Sequence, residues 1–186
     1  MRICITGKPS SGKSTIINHL ELLGYNVFNS DKYVHEIYQK GKIGYELIKD
    51  QFGSDFVNAK EVNRKKLGEL VFNDYEQLNK LNKIINPILK TKIGQLDLEK
   101  NWIIELGTYI YYYEYFKDIF DKVILISRDI SKLNEYTQNR FKFLFDNLSP
   151  FNKTDAKIDI TFENNDDLLT LFEQAEKFIK TLRLVE

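Results

Sequence analysis

Apolar residues along the chain alternate between short compact runs and longer stretches of 3.6-residue periodicity, a rhythm that predicts an α/β protein. Arg2 to Thr6 is a short apolar run ending at Gly7, as a strand would. From Ser14 to Leu23, Ile16, Ile17, Leu20 and Leu23 recur at helical spacing, and Gly24 closes the segment. Tyr25 to Phe28 reads as a second strand, and Asn29, Ser30 and Asp31 after it suit the capping of a further helix. The chain is thus expected to open as strand, loop, helix, strand.

A helix-rich stretch follows. Leu67, Leu70 and Val71 mark one helix, and Leu78, Leu81, Ile85, Ile88 and Leu96 a longer one that Pro87 should kink or interrupt. Trp102 to Leu106 and Lys122 to Ser127 are apolar runs of strand length that read as buried on both faces, and Ile158 to Phe162 is a weaker candidate. Leu168, Leu171, Phe172, Ala175, Phe178, Ile179 and Leu182 form the stripe of a closing helix. Strands alternating with helices imply a parallel sheet with right-handed crossovers and helices on both faces, which gathers ligands at the carboxyl ends of the strands.

Composition narrows the function without choosing it. With 186 residues the chain fits one domain, or one domain with a small inserted lid, and 42% hydrophobic content is enough for a core. Lys plus Arg and Asp plus Glu number 27 each, so no global field draws nucleic acid or an anionic membrane, and any anion site must be local. Cys4, the single cysteine, lies in an apolar run and reads as a buried strand residue, which fits a reducing cytoplasm. Arg2 leads so directly into the first loop that no signal peptide is expected, and no apolar stretch reaches membrane-spanning length.

Residues 7 to 14 read G-K-P-S-S-G-K-S and match G-x-x-x-x-G-K-[ST], with Thr15 next. Gly7 and Gly12 permit turns that aim successive N–H groups inward, Ser10 and Ser11 lie between them, and the helix beginning near Ser14 adds its positive end. Lys13 would reach the β and γ phosphates, and the Ser14 hydroxyl would ligate magnesium. The expected ligand is ATP or GTP with Mg2+.

Asp31 follows the second strand, on the edge of the sheet where the loop lies. A carboxylate there could orient an attacking hydroxyl and accept its proton late, or it could simply cap the helix; the local sequence leaves both open. The five tyrosines between Tyr109 and Phe116 could line a pocket or pack a helix on the sheet, packing being the safer reading. His19 and His35, on helices without carboxylate or cysteine at ligand spacing, receive no catalytic or metal role.

In order, these features resemble the dephospho-coenzyme A kinase family, whose members phosphorylate the 3'-hydroxyl of dephospho-CoA. The resemblance rests on I-T-G-K-P-S-S-G-K-S-T at 5 to 15, G-Y-N-V-F-N-S-D at 24 to 31, and Gln51-Phe52-Gly53 followed by N-R-K-K-L-G-E-L-V-F-N-D at 63 to 74. It implies a three-layer P-loop kinase fold with a five-stranded parallel sheet, a helical acceptor-binding region and a small lid. The core would be about residues 1–30 and 100–186, the insertion about 31–99 and the lid about 134–155 of a single domain.

The same resemblance makes Asp31, Lys13 and Arg140 catalytic, and assigns acceptor binding to Asp31, Arg64, Asn86 and Glu105. Gly7, Ser10, Ser11, Gly12, Lys13, Ser14 and Thr15 would bind ATP, and Ser14 the Mg2+. Glu105 could hold a magnesium-bound water or form a buried strand-end salt bridge. Two positions depart from the family pattern: Asn86 stands where a histidine usually precedes Pro87, and Tyr136 where a second lid arginine is common. Lys142 or Lys153 could supply the missing charge, while Phe141, Phe143, Phe145 and Phe151 read first as packing.

The resemblance implies a small-molecule acceptor; the balanced charge, the single cysteine and the lack of a long apolar stretch suit a cytoplasmic enzyme with no nucleic-acid or membrane partner, expected as a monomer with an oligomer left open. Two alternatives are a nucleoside or nucleotide kinase of the same fold, and a regulatory protein that binds nucleotide without efficient transfer.

Overall fold

Five strands, β1 (Arg2–Thr6), β2 (Val27–Asn29), β3 (Trp102–Glu105), β4 (Lys122–Ser127) and β5 (Ile160–Glu163), form one parallel sheet in the order β2-β3-β1-β4-β5. This computed structural model describes residues 1–147, 157–165 and 167–182, without the side chains of Arg140 and residues 143–147. Central β1 pairs with β3 through Ile5 and Glu105 and with β4 through Ile5 and Ile124. Ile3, Cys4 and Ile5 are therefore fully buried, and burial pushes the Cys4 thiol well above its usual range.

One face of the sheet is covered by α1 (Lys13–Leu22) and by the closing helix, here α8 (Leu168–Thr181). Ile16, Ile17 and Leu20 of α1 meet Leu171, Ala175 and Ile179 of α8 over Ile3, Ile5 and Ile124, as the helical spacing predicts. His19 stacks on Phe172 at 4.0 Å and bonds the Glu176 carboxylate at 2.8 Å, a packing role that uses the ring fully. Two short elements after β3 hold the tyrosine run: a 3₁₀ turn (Gly107–Ile110) and α6 (Tyr113–Phe116). Tyr109, buried, packs edge-on against Tyr113 and Phe120, and Phe116 is fully buried, so these rings serve the core.

Contacts divide the chain into two compact units, residues 1–29 with 96–186, and residues 30–95. The second contains α2 (Ser30–Ile37), α3 (Ile43–Phe52), α4 (Arg64–Val71) and α5 (Tyr75–Gly94). Asn63 caps α4 by accepting from the Lys66 N–H, and Asp74 caps α5 by accepting from Glu76 and Gln77.

Three boundaries differ from the sequence pattern, each for a local reason. The second strand starts at Val27 because the Tyr25 N–H bonds the Leu20 carbonyl and the Gly24 N–H the Glu21 carbonyl, a Schellman closure that draws Tyr25 into the helix end. Asp31 lies inside the first turn of α2, which begins at Ser30 directly after β2, rather than at a cap before it. Pro87 does not interrupt the longer helix: α5 runs through it for 20 residues, with Leu78, Asn82, Ile85, Asn86, Leu89 and Ile93 buried along one stripe.

The stretch expected to form the lid contains α7 (Glu135–Asn147), on which Tyr136 is 72% exposed and Lys142 is exposed. Phe141 is half-buried. Lys153, Phe151 and the side chains of Arg140, Phe143 and Phe145 lie outside the described residues.

Candidate active site

The segment between β1 and α1 wraps into the loop that its sequence predicts. Gly7 has φ +151° and Gly12 φ +103°, while Ser10 takes φ +61°, uncommon for a side-chain-bearing residue. A Cβ on Gly7 would lie 2.3 Å from the Ile126 carbonyl oxygen, and one on Gly12 2.4 Å from the Asn164 side chain, so both positions admit only glycine. The Lys8 carbonyl accepts from the Ser11 N–H at 3.2 Å and from the Lys13 ammonium at 2.8 Å. Lys13 thus lies back on its own loop, where a phosphate oxygen can replace the carbonyl as acceptor.

Observations independent of the motif fit a phosphate ligand here. Among the described residues the Ser11 hydroxyl is buried without a hydrogen-bond partner, as is that of Thr6 at the end of β1. The first N–H groups of α1 have no carbonyl within their own helix to bond, so the helix start offers donors and a positive dipole end.

Every strand delivers a residue to this edge. Glu105 closes β3 at 1% exposure; its carboxylate accepts from the Ser14 hydroxyl at 2.8 Å and from the Asn29 amide at 2.5 Å. An ionised carboxylate so deeply buried is costly unless satisfied, and each such charge-assisted bond returns about 1.5–3 kcal/mol. The bond from Ser14 holds the very hydroxyl that the motif assigns to the metal. Thr15 follows in the first turn of α1. Beyond β4, Ser127 to Ile130 line a cleft of about 300 Å³ with Lys8 and Ile110.

Apart from Arg140, whose side chain lies outside the described residues, the remaining predicted residues fall in the 30–95 unit. Asp31 and Arg64 are both exposed, and the Arg64 guanidinium lies 2.9 Å from Nε2 of His35, one helical turn after Asp31. A guanidinium can only donate, so the ring nitrogen accepts and His35 is neutral in this arrangement. Burial first, and then the Arg64 charge, hold the His35 ring below the usual imidazole range, while the Asp31 and Glu61 carboxylates pull the other way. NMR titration of the His35 ring is expected to give a midpoint below about 6.5 that moves up in Arg64→Gln. A midpoint above that value, or one insensitive to Arg64, contradicts the pairing.

Asn86 is 3% exposed on α5, and its Oδ1 is buried without a hydrogen-bond partner among the described residues. His35 and Asn164 are the two contributors that sequence reading passed over. Spacing of His35 four residues after Asp31, on a helix, was the available signal for the first; nothing local marks the second.

Strand order, loop and the acid holding the loop serine together define a P-loop kinase fold. A family model described as dephospho-CoA kinase matches residues 1–132. The chain is 36% identical over 187 residues to a dephospho-CoA kinase of Mycoplasma genitalium, covering 97% of this chain and 92% of that one. A dephospho-CoA kinase of Fusobacterium nucleatum is 32% identical, with 98% of each chain covered. A solved structure of a dephospho-CoA kinase from Campylobacter jejuni shares the fold, at a TM-score of 0.64 and 24% identity over 97% of this chain and 96% of that one. This chain belongs to the dephospho-CoA kinase family.

Proposed function

We propose that the protein transfers the γ-phosphoryl group of ATP to the 3'-hydroxyl of dephospho-CoA, giving coenzyme A and ADP, the last step of coenzyme A synthesis. The observation that carries the acceptor is the 36% identity to a dephospho-CoA kinase over 97% of the chain, since fold and loop alone do not choose one.

ATP supplies the phosphoryl group, and Mg2+, when bound, would supply divalent charge to offset that of the phosphates. The backbone of residues 7 to 15 holds the phosphates, Lys13 leaves the Lys8 carbonyl to neutralise charge between them, and the Ser14 hydroxyl, oriented by Glu105, would hold the metal. Asp31 orients the 3'-hydroxyl. Its oxygen forms the new bond to Pγ as the bond from Pγ to the β-phosphate oxygen breaks, and the hydroxyl proton passes late to the Asp31 carboxylate and on to water.

In this reading the 30–95 unit is the acceptor-binding region, where Arg64 meets an anionic part of the acceptor and Asn86 offers its unpartnered oxygen to a donor. Arg140 lies on α7 of the lid and adds charge during transfer. The protein acts in the cytoplasm as a monomer.

An ADP-release assay with Mg2+ and ATP is expected to show turnover with dephospho-CoA well above that with adenosine, nucleoside monophosphates or shikimate. Preference for a nucleoside or nucleotide assigns another acceptor to the same fold, and nucleotide binding without turnover on any acceptor assigns a regulatory role.

A further inference from the structure

Asn164, the residue that follows β5, is assigned no role by the phosphate-loop motif. Its backbone N–H donates to the Ser127 carbonyl at 2.8 Å and so extends the pairing of β5 with β4 by one residue. The side chain is 4% exposed and turns toward the phosphate loop, where Nδ2 donates to the Ser11 carbonyl at 2.8 Å. Its fit against Gly12 is close enough that an added Cβ would meet Nδ2 at 2.4 Å.

The Ser11 carbonyl and the Gly12 N–H belong to one peptide unit. That unit is planar and trans, so its C=O and N–H point in opposite directions. Whatever grips the carbonyl on one side therefore aims the N–H to the other. Gly12 stands immediately before α1, with Ser10 and Gly12 both at positive φ on either side of Ser11, a stretch with unusual freedom for a peptide to turn over. Turned over, the Ser11 carbonyl oxygen would replace the Gly12 N–H, and an acceptor would face an anionic ligand in place of a donor.

We infer that Asn164 is a positioning residue of the donor site, which locks the Ser11–Gly12 peptide with its N–H toward the nucleotide phosphates. The inference rests on the loop's being the nucleotide site. The amide is suited to this because it donates without charge; a lysine or arginine there would compete for the phosphate, and a carboxylate would repel the carbonyl. It also gives a residue from the edge of the sheet a part in the loop: β5 lies two strands from β1, and the side chain that follows its carboxyl end reaches the Ser11 carbonyl.

The test is calorimetric titration of the full chain with Mg2+ and ATP, in wild type and in Asn164→Leu, which keeps the branching at Cγ and loses the donor. The expected result is a ten- to hundredfold weaker dissociation constant, the size of one lost charge-assisted hydrogen bond, with the thermal midpoint recorded alongside. Weaker ATP binding in a folded variant, with the KM for acceptor unchanged, is the signature of positioning. Equal affinity in the two proteins, with only stability or active fraction reduced, overturns it. In wild type alone, the Gly12 amide resonance should move strongly when ADP and Mg2+ are added; an unmoved Gly12 amide beside shifted Lys13 and Ser14 amides also overturns it. Absence of ATP binding by the wild type would instead remove the nucleotide-site reading itself.

Discussion

Replacing Lys13 with methionine is expected to lower kcat/KM by about a thousandfold while leaving the protein folded. The ammonium donates to the Lys8 carbonyl at 2.8 Å, a neutral partner that a phosphate oxygen outcompetes. Methionine keeps the length and the apolar stem, so the loss reports the charge. Steady-state kinetics with both substrates, beside a thermal melt, measures it, and a loss below tenfold would mean that charge development is met elsewhere.

Asp31→Asn should lower kcat by about a hundredfold or more and leave ATP affinity nearly unchanged. A structural explanation would not be large enough. Asp31 is exposed in the first turn of α2, and among the described residues its side chain makes no cap bond. Its favourable interaction with the helix start is about 0.3–1 kcal/mol, whereas a hundredfold rate loss is about 2.7 kcal/mol. Turnover within a fewfold of wild type would reduce Asp31 to a helix-terminal charge.

The two residues also show which features a sequence exposes. The phosphate loop was legible because its chemistry is consecutive: two glycines, a lysine and a serine within eight positions, placed between a strand and a helix. Strands β1, β3 and β4 were legible because they are buried on both faces and read as unbroken apolar runs. By contrast, the buried stripe of α5 includes Asn82 and Asn86, polar residues that an apolar count skips. Asn82 is accommodated by donating to the Leu78 carbonyl at 3.0 Å, a bond invisible to periodicity. The late start of β2 depended on which of two backbone arrangements Tyr25 would join, and the helix closure won over the strand preference of its side chain.

Site residues joined across long separations were the least legible. Glu105 was visible as an acid ending a strand, but its bond with the loop serine depended on the register that sets Ile5 beside Glu105. Asn164 depended on the sheet order that carries β5 to one edge while leaving its carboxyl end level with the loop. Asparagine is common after strands, so neither its type nor its spacing distinguishes it.

The central claim concerns the acceptor atom, and phosphorus NMR of one reaction mixture addresses it most directly. Protein, Mg2+, ATP and dephospho-CoA are expected to yield one new phosphomonoester resonance, coupled to the ribose 3'-proton, in step with ADP. ADP formed without that resonance, or a phosphate attached at any other position, would contradict the account.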